Sequence, residues 1–99
     1  MTLKEITSYL NGFFETDSFP DNSTNGLQVE NSENVGKIGL AVDACQEAIL
    51  KAVEEKCNLL IVHHGLFWGR ELCIVDNHFH RVRALIMADI ALYAVHLPL

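Results

Sequence analysis

Leu59-Leu60-Ile61-Val62 limits what the chain can become more than any other stretch. Four consecutive aliphatic residues, cut short by His63-His64-Gly65, predict a strand covered on both faces. Such strands belong to open α/β sheets, which bind ligands at the carboxyl ends of their strands. Side chains alternate along a strand, so His63 and His64 start on opposite faces. Either the backbone bends at Gly65 and both rings grip one metal ion, or each ring serves its own ion in a paired site. The competing use has one ring packed in the core or bonded to a loop and the other facing water, since neutral imidazole does many things besides ligation.

The segments around this run decide how much weight it carries. Thr2 and Glu5 have capping-box spacing, and Ile6, Tyr9, Leu10, Phe13 and Phe14 recur with helical period, so an amphipathic helix is expected with its aromatic stripe in the core. Residues 16–25 are turn formers and read as a surface loop. Asn25-Gly26 leads into a short half-buried strand, Leu27-Gln28-Val29. A second strand, Lys37-Ile38-Gly39-Leu40-Ala41-Val42, ends at Asp43, and Asp43 with Gln46 repeats the capping spacing. The helix so begun would turn Ala48, Ile49, Ala52 and Val53 inward, and its capping place accounts for Asp43 without any functional role.

Strand, helix and the His63-His64 strand form a crossover unit, which implies parallel neighbours. After it, Gly65-Leu66-Phe67-Trp68-Gly69-Arg70 is a glycine-bracketed loop whose aromatics either wall a pocket or cover the sheet edge. Asp76-Asn77 opens a third helix with Phe79, Val82, Leu85 and Ile86 inward. His78 and His80 on that helix point apart, which argues against a shared metal. Asp89 to His96 returns to a strand ending in a third imidazole. The expected fold is therefore α/β, with α+β as the alternative: a mixed, mainly parallel sheet with crossover helices. Three of its strands bring Asp43, His63, His64 and His96 to one edge, which makes a metal or catalytic site the better reading.

Composition removes whole classes of function. Seven Lys and Arg against 13 Asp and Glu give a net charge of −6, with no basic run to follow a phosphate backbone, so nucleic acid is not an expected partner. No run of apolar residues is long enough to span a membrane. Cys45, Cys57 and Cys73 are odd in number and far apart, as in reduced thiols of a cytoplasmic protein. Phosphate-cradling glycine loops, GxSxG and HExxH are missing.

The segments Asn25-Gly26-Leu27-Gln28-Val29, Lys37-Ile38 with Ala41-Val42-Asp43, Leu60 to Trp68, and Tyr93-Ala94-Val95-His96-Leu97-Pro98-Leu99 together resemble the Nif-three-like dinuclear metal-centre family. Many of its members carry the label GTP cyclohydrolase I type 2. The resemblance implies a two-metal site with His63 and His64 as ligands, one to each ion; histidine with carboxylate accepts zinc, iron, manganese and others, so the ligands do not select one metal. His96 is then a neighbour of the site rather than a ligand, able to orient a substrate or shuttle a proton. The family completes the site with an Asp just after its His-x-Pro-Leu segment and a His and Glu near the far C-terminus, so residues 1–99 are expected to be the N-terminal half of a family domain, truncated before that Asp. The implied function is metal-dependent hydrolysis of a nucleotide-like small molecule. The alternative is a non-catalytic metal-binding or assembly subunit that needs a complementing C-terminal half. The chain alone is expected to be inactive, because its ligand count falls below the usual minimum. Homo-oligomers, hexamers in the family, are the implied assembly. Truncation would also leave the last strand's far edge open to self-pairing.

Overall fold

The computed structural model describes residues 1–15, 25–68 and 72–96. Its elements are α1 (Leu3–Phe14), β1 (Gly26–Val29), β2 (Ile38–Asp43), α2 (Gln46–Glu54), β3 (Leu59–His64), α3 (Asp76–Met87) and β4 (Ala91–Ala94). One sheet runs in the order β1-β4-β3-β2; β2, β3 and β4 are parallel and β1 is antiparallel to β4. The mixed, mainly parallel α/β sheet expected from the crossover pattern is the one observed.

Alternation along β3 divides the core in two. Leu60 and Val62 join Ile49 and Ala52 of α2 and Val82 and Leu85 of α3, whereas Leu59 joins Leu3 and Ile6 of α1 with Ala91, Tyr93 and Val95. All four residues of β4 are buried, so this strand is the centre of the three layers. Its Tyr93 hydroxyl donates to Asn11 Oδ1 at 2.6 Å, which satisfies a polar group that would otherwise cost about 1–3 kcal/mol to bury. Because β1 occupies the outer side of β4, the last strand does not present the open edge expected from sequence; the edges among the described residues are β1 and β2.

The capping box at Thr2 and Glu5 forms in full. Of the stripe on α1, Ile6 is buried and Leu10 and Phe14 pack against the core, whereas Tyr9 and Phe13 are about two-thirds exposed and stack on each other with centroids 6.0 Å apart. Helical period identifies a stripe, but its width against a four-stranded sheet is set by where the helix lies. The same reason leaves Val53, Phe79 and Ile86 exposed beside their buried neighbours Ala52, Val82 and Leu85. The expected loop at 16–25 falls outside the described residues except for Asn25, as do Gly69, Arg70 and Leu97-Pro98-Leu99. Among the described residues, no helix is long and apolar enough to cross a membrane.

Candidate metal centre

β2, β3 and β4 run in one direction, so their carboxyl ends share a rim. Asp43 is the register partner of His64 across β2 and β3, and the main-chain N–H of Val95 donates to the Val62 carbonyl, which sets His96 beside the histidine pair. His63 and His64 leave the sheet on different sides, as alternation requires. His63 lines a cavity with Leu10, Phe14, Ile61 and Val95, whereas His64 lines one of about 260 Å³ with Asp43, Cys45, Trp68 and Arg81. At the rim the two sides meet, and the ring centroids close to 4.5 Å. His96 stacks on His63 at 4.6 Å. One nitrogen from each of His63, His64 and His96 lies within 4.8 Å of the others.

Hydrogen bonding fixes the chemistry of two of these rings. His63 Nδ1 is 3.1 Å from the Val95 carbonyl oxygen, which can only accept, so Nδ1 carries the proton. His64 Nδ1 is 2.6 Å from Asp43 Oδ1, where a carboxylate likewise accepts. In each neutral ring Nε2 is left with its lone pair, the state in which histidine binds metal. The donor set therefore fits divalent ions that accept imidazole nitrogen, among them zinc, iron and manganese.

Sequence reasoning assigned Asp43 to the cap of α2, and the structure corrects this. The N-cap is Cys45, without a side-chain hydrogen bond, while Asp43 stays in β2 and its carboxylate meets His64. The capping pattern read correctly that a helix starts here but placed its start two residues early.

Three further contributors carry little sequence signal. Gln28 of β1 reaches across to the loop that follows His64: its Oε1 accepts from Leu66 N at 2.8 Å and Phe67 N at 3.3 Å, and its Nε2 donates to the Phe67 carbonyl at 3.1 Å. A Cβ on Gly65 would clash with that Oε1, so the glycine is what admits the clamp. Asn25 Oδ1 accepts from His96 N at 2.8 Å. The glycine directly after the paired histidines was the available hint of close approach.

Trp68 is half-buried beside the imidazoles, 5.9 Å from His64 and edge-on to His96 at 5.2 Å, while Phe67 packs on the core and against His78. One aromatic thus walls the site and the other covers the sheet. His80 contacts Phe79 instead, so the rings of His78 and His80 have separate neighbours.

Sequence and fold together match a known family. Residues 1–99 match the model of the Duf34/NIF3 (NGG1p interacting factor 3) family, and the chain belongs to that family. It is 46% identical over 99 residues to a GTP cyclohydrolase 1 type 2 homolog of Pyrococcus horikoshii, covering all of this chain and 40% of that protein. A protein of the same name from Deinococcus radiodurans is 42% identical over 95 residues, covering 96% of this chain and 36% of its own length. The crystal structure of TTHA1606 from Thermus thermophilus superposes with a TM-score of 0.95 at 47% identity, covering 99% of this chain and 41% of that one. The chain thus spans about two-fifths of the length of the relatives it matches.

Proposed function

We propose that His63 and His64 each hold one ion of a divalent metal pair, and that the chain contributes this part of the centre to a metal-dependent hydrolase of a nucleotide-like small molecule. The observation that carries the reading is the engagement of both Nδ1 atoms by acceptors, which leaves Nε2 as the nitrogen of each ring free of that bond, together with the approach of one ring nitrogen from each of His63, His64 and His96 to within 4.8 Å. When bound, the ions would supply Lewis acidity, polarising an electrophilic carbon and easing deprotonation of water near neutral pH. The chain's own residues hold and orient. His96, stacked on His63, is positioned to orient substrate or carry a proton. Trp68 shields one side of the rim from water and offers a flat face to a base. The naming of the relatives as GTP cyclohydrolase 1 type 2 homologs supports a nucleotide-like substrate.

A second reading follows from the donor set. His63, His64 and His96 are neutral donors, and Asp43 is engaged with His64, so the four charges of two divalent ions call for further carboxylates. In this reading the chain is a non-catalytic metal-binding or assembly subunit whose site a complementing C-terminal half completes, within a homo-oligomer such as the hexamer that the family resemblance implies. Three free cysteines suit the reducing cytoplasm.

Equilibrium dialysis against zinc, manganese and ferrous iron, with metal read by elemental analysis, tests the reading. Bound metal should fall at least tenfold in the His63→Ala, His64→Ala double variant. Trace metal in the parent protein, or equal content in both, overturns it. EDTA-sensitive consumption of GTP by the chain alone would favour the hydrolase over the subunit.

A further inference from the structure

Asp43 and the Val95 carbonyl do the same work by different means. Each accepts a hydrogen bond from the Nδ1 of one histidine, but one acceptor is an ionised side chain and the other is main chain. We infer that Asp43 is a positioning residue for the metal centre: its carboxylate holds His64 in the Nδ1–H tautomer and aims Nε2 of that ring into the space shared with His63 and His96. The inference rests on His64 being a ligand, as proposed above, but its tautomer half stands without metal.

The geometry separates this role from ligation. Asp43 Oδ1 sits 2.6 Å from Nδ1, on the far side of the ring from Nε2, so an ion held by Nε2 is beyond the reach of that oxygen. A neutral imidazole without such a partner prefers its proton on Nε2, which would block the lone pair the metal needs. A charged carboxylate makes a stronger hydrogen bond than a main-chain carbonyl, so the two rings are held unequally, His64 the more firmly. Asp43 is held where it is by the β2–β3 register, and the Ala44 N–H bonded to the His64 carbonyl at 2.9 Å locks the two strand ends together.

The test reads the tautomers of His63 and His64 by long-range 15N–1H correlation in metal-free protein carrying 15N-histidine, and zinc affinity by competition with a chromophoric chelator. The parent protein should show Nδ1–H at both rings. In Asp43→Ala, His64 should shift toward Nε2–H while His63 keeps its tautomer, and zinc binding should weaken roughly 10–100-fold. Asp43→Asn, which keeps an oxygen acceptor but no charge, should retain the tautomer and lose less affinity. Nε2–H at His64 in the parent, an unmoved His64 tautomer in Asp43→Ala, or unchanged zinc affinity in that variant overturns the inference. A poorly folded alanine variant leaves the parent tautomer and the asparagine variant to decide. A parent protein that binds no zinc yet holds Nδ1–H at His64 defeats the proposed function and the ligand role, while the orienting contact stands.

Discussion

The two ends of the parallel strands are both polar, and they use their polar groups in opposite ways. At the amino end, Asn31 Nδ2 donates to the carbonyls of Asn34, Asn58 and Asp89, and Asn58 Oδ1 accepts from Gly36 N and Lys37 N. The Asp89 carboxylate takes the Ser32 N–H at 2.8 Å and its hydroxyl. These side chains stand in for missing main-chain partners where strands begin. At the carboxyl end, His63 and His64 are each anchored through Nδ1, and three imidazoles crowd together around one space. A polar cluster that closes its own hydrogen bonds stabilises the fold. One that gathers three imidazoles with a nitrogen of each within 4.8 Å of the others is fit to bind something.

That contrast can be broken at either end. Asn58→Ala strips Gly36 N and Lys37 N of their acceptor, and we expect a loss of about 2–3 kcal/mol in chemical denaturation with zinc affinity intact. His64→Ala should do the reverse, changing metal-free stability by less than about 1 kcal/mol, because the Asp43 carboxylate it leaves behind is exposed to water, while metal binding falls. Equal stability losses in the two variants would erase the distinction. Gly65→Ala should fall between them: the new Cβ evicts Gln28 from its clamp, costing about 1–2 kcal/mol, and loosens the loop bearing Trp68. Tryptophan fluorescence should report that loosening.

The smallest effect sharpens the comparison from a third place, the α1 cap. Glu5 is held below its ordinary value of 4.5, first by the Thr2 main-chain N–H and then by the Thr2 hydroxyl. A lowered folded-state value means that the cap's contribution is complete above the ordinary value and fades as pH falls through the lowered one. Thr2→Ala should cost about 1 kcal/mol at neutral pH and less as the acid range is entered, measured by thermal unfolding across pH.

Much of the carboxyl rim was legible because crossover connections force parallel strands, so Asp43, His63-His64 and His96 had to arrive at one edge. The family resemblance rested on the same blocks. What each residue does there was less legible. Asp43 fits two local rules, strand end and helix cap, and only the pairing with His64 chooses between them. Gln28 acts on residues 66 and 67, and no local pattern in sequence encodes a contact so distant along the chain. The stripe on α1 showed that a helix packs but not how widely, which is why Tyr9 and Phe13 lie outside the core.

The placement of β4 bears on how the molecule comes into being. Among the described residues, β1 has β4 as its one neighbour in the sheet, through Gly26↔Ala94 and Leu27↔Tyr93, so an early segment must wait for a late one before it gains any ladder. A chain emerging from the ribosome as far as β3 has its β2–β3 pair but a vacant centre and an idle first strand. Closing such a long loop costs entropy before any contact repays it, so assembly of this sheet should be governed by the arrival of its middle strand and be slow relative to helical proteins of the same size.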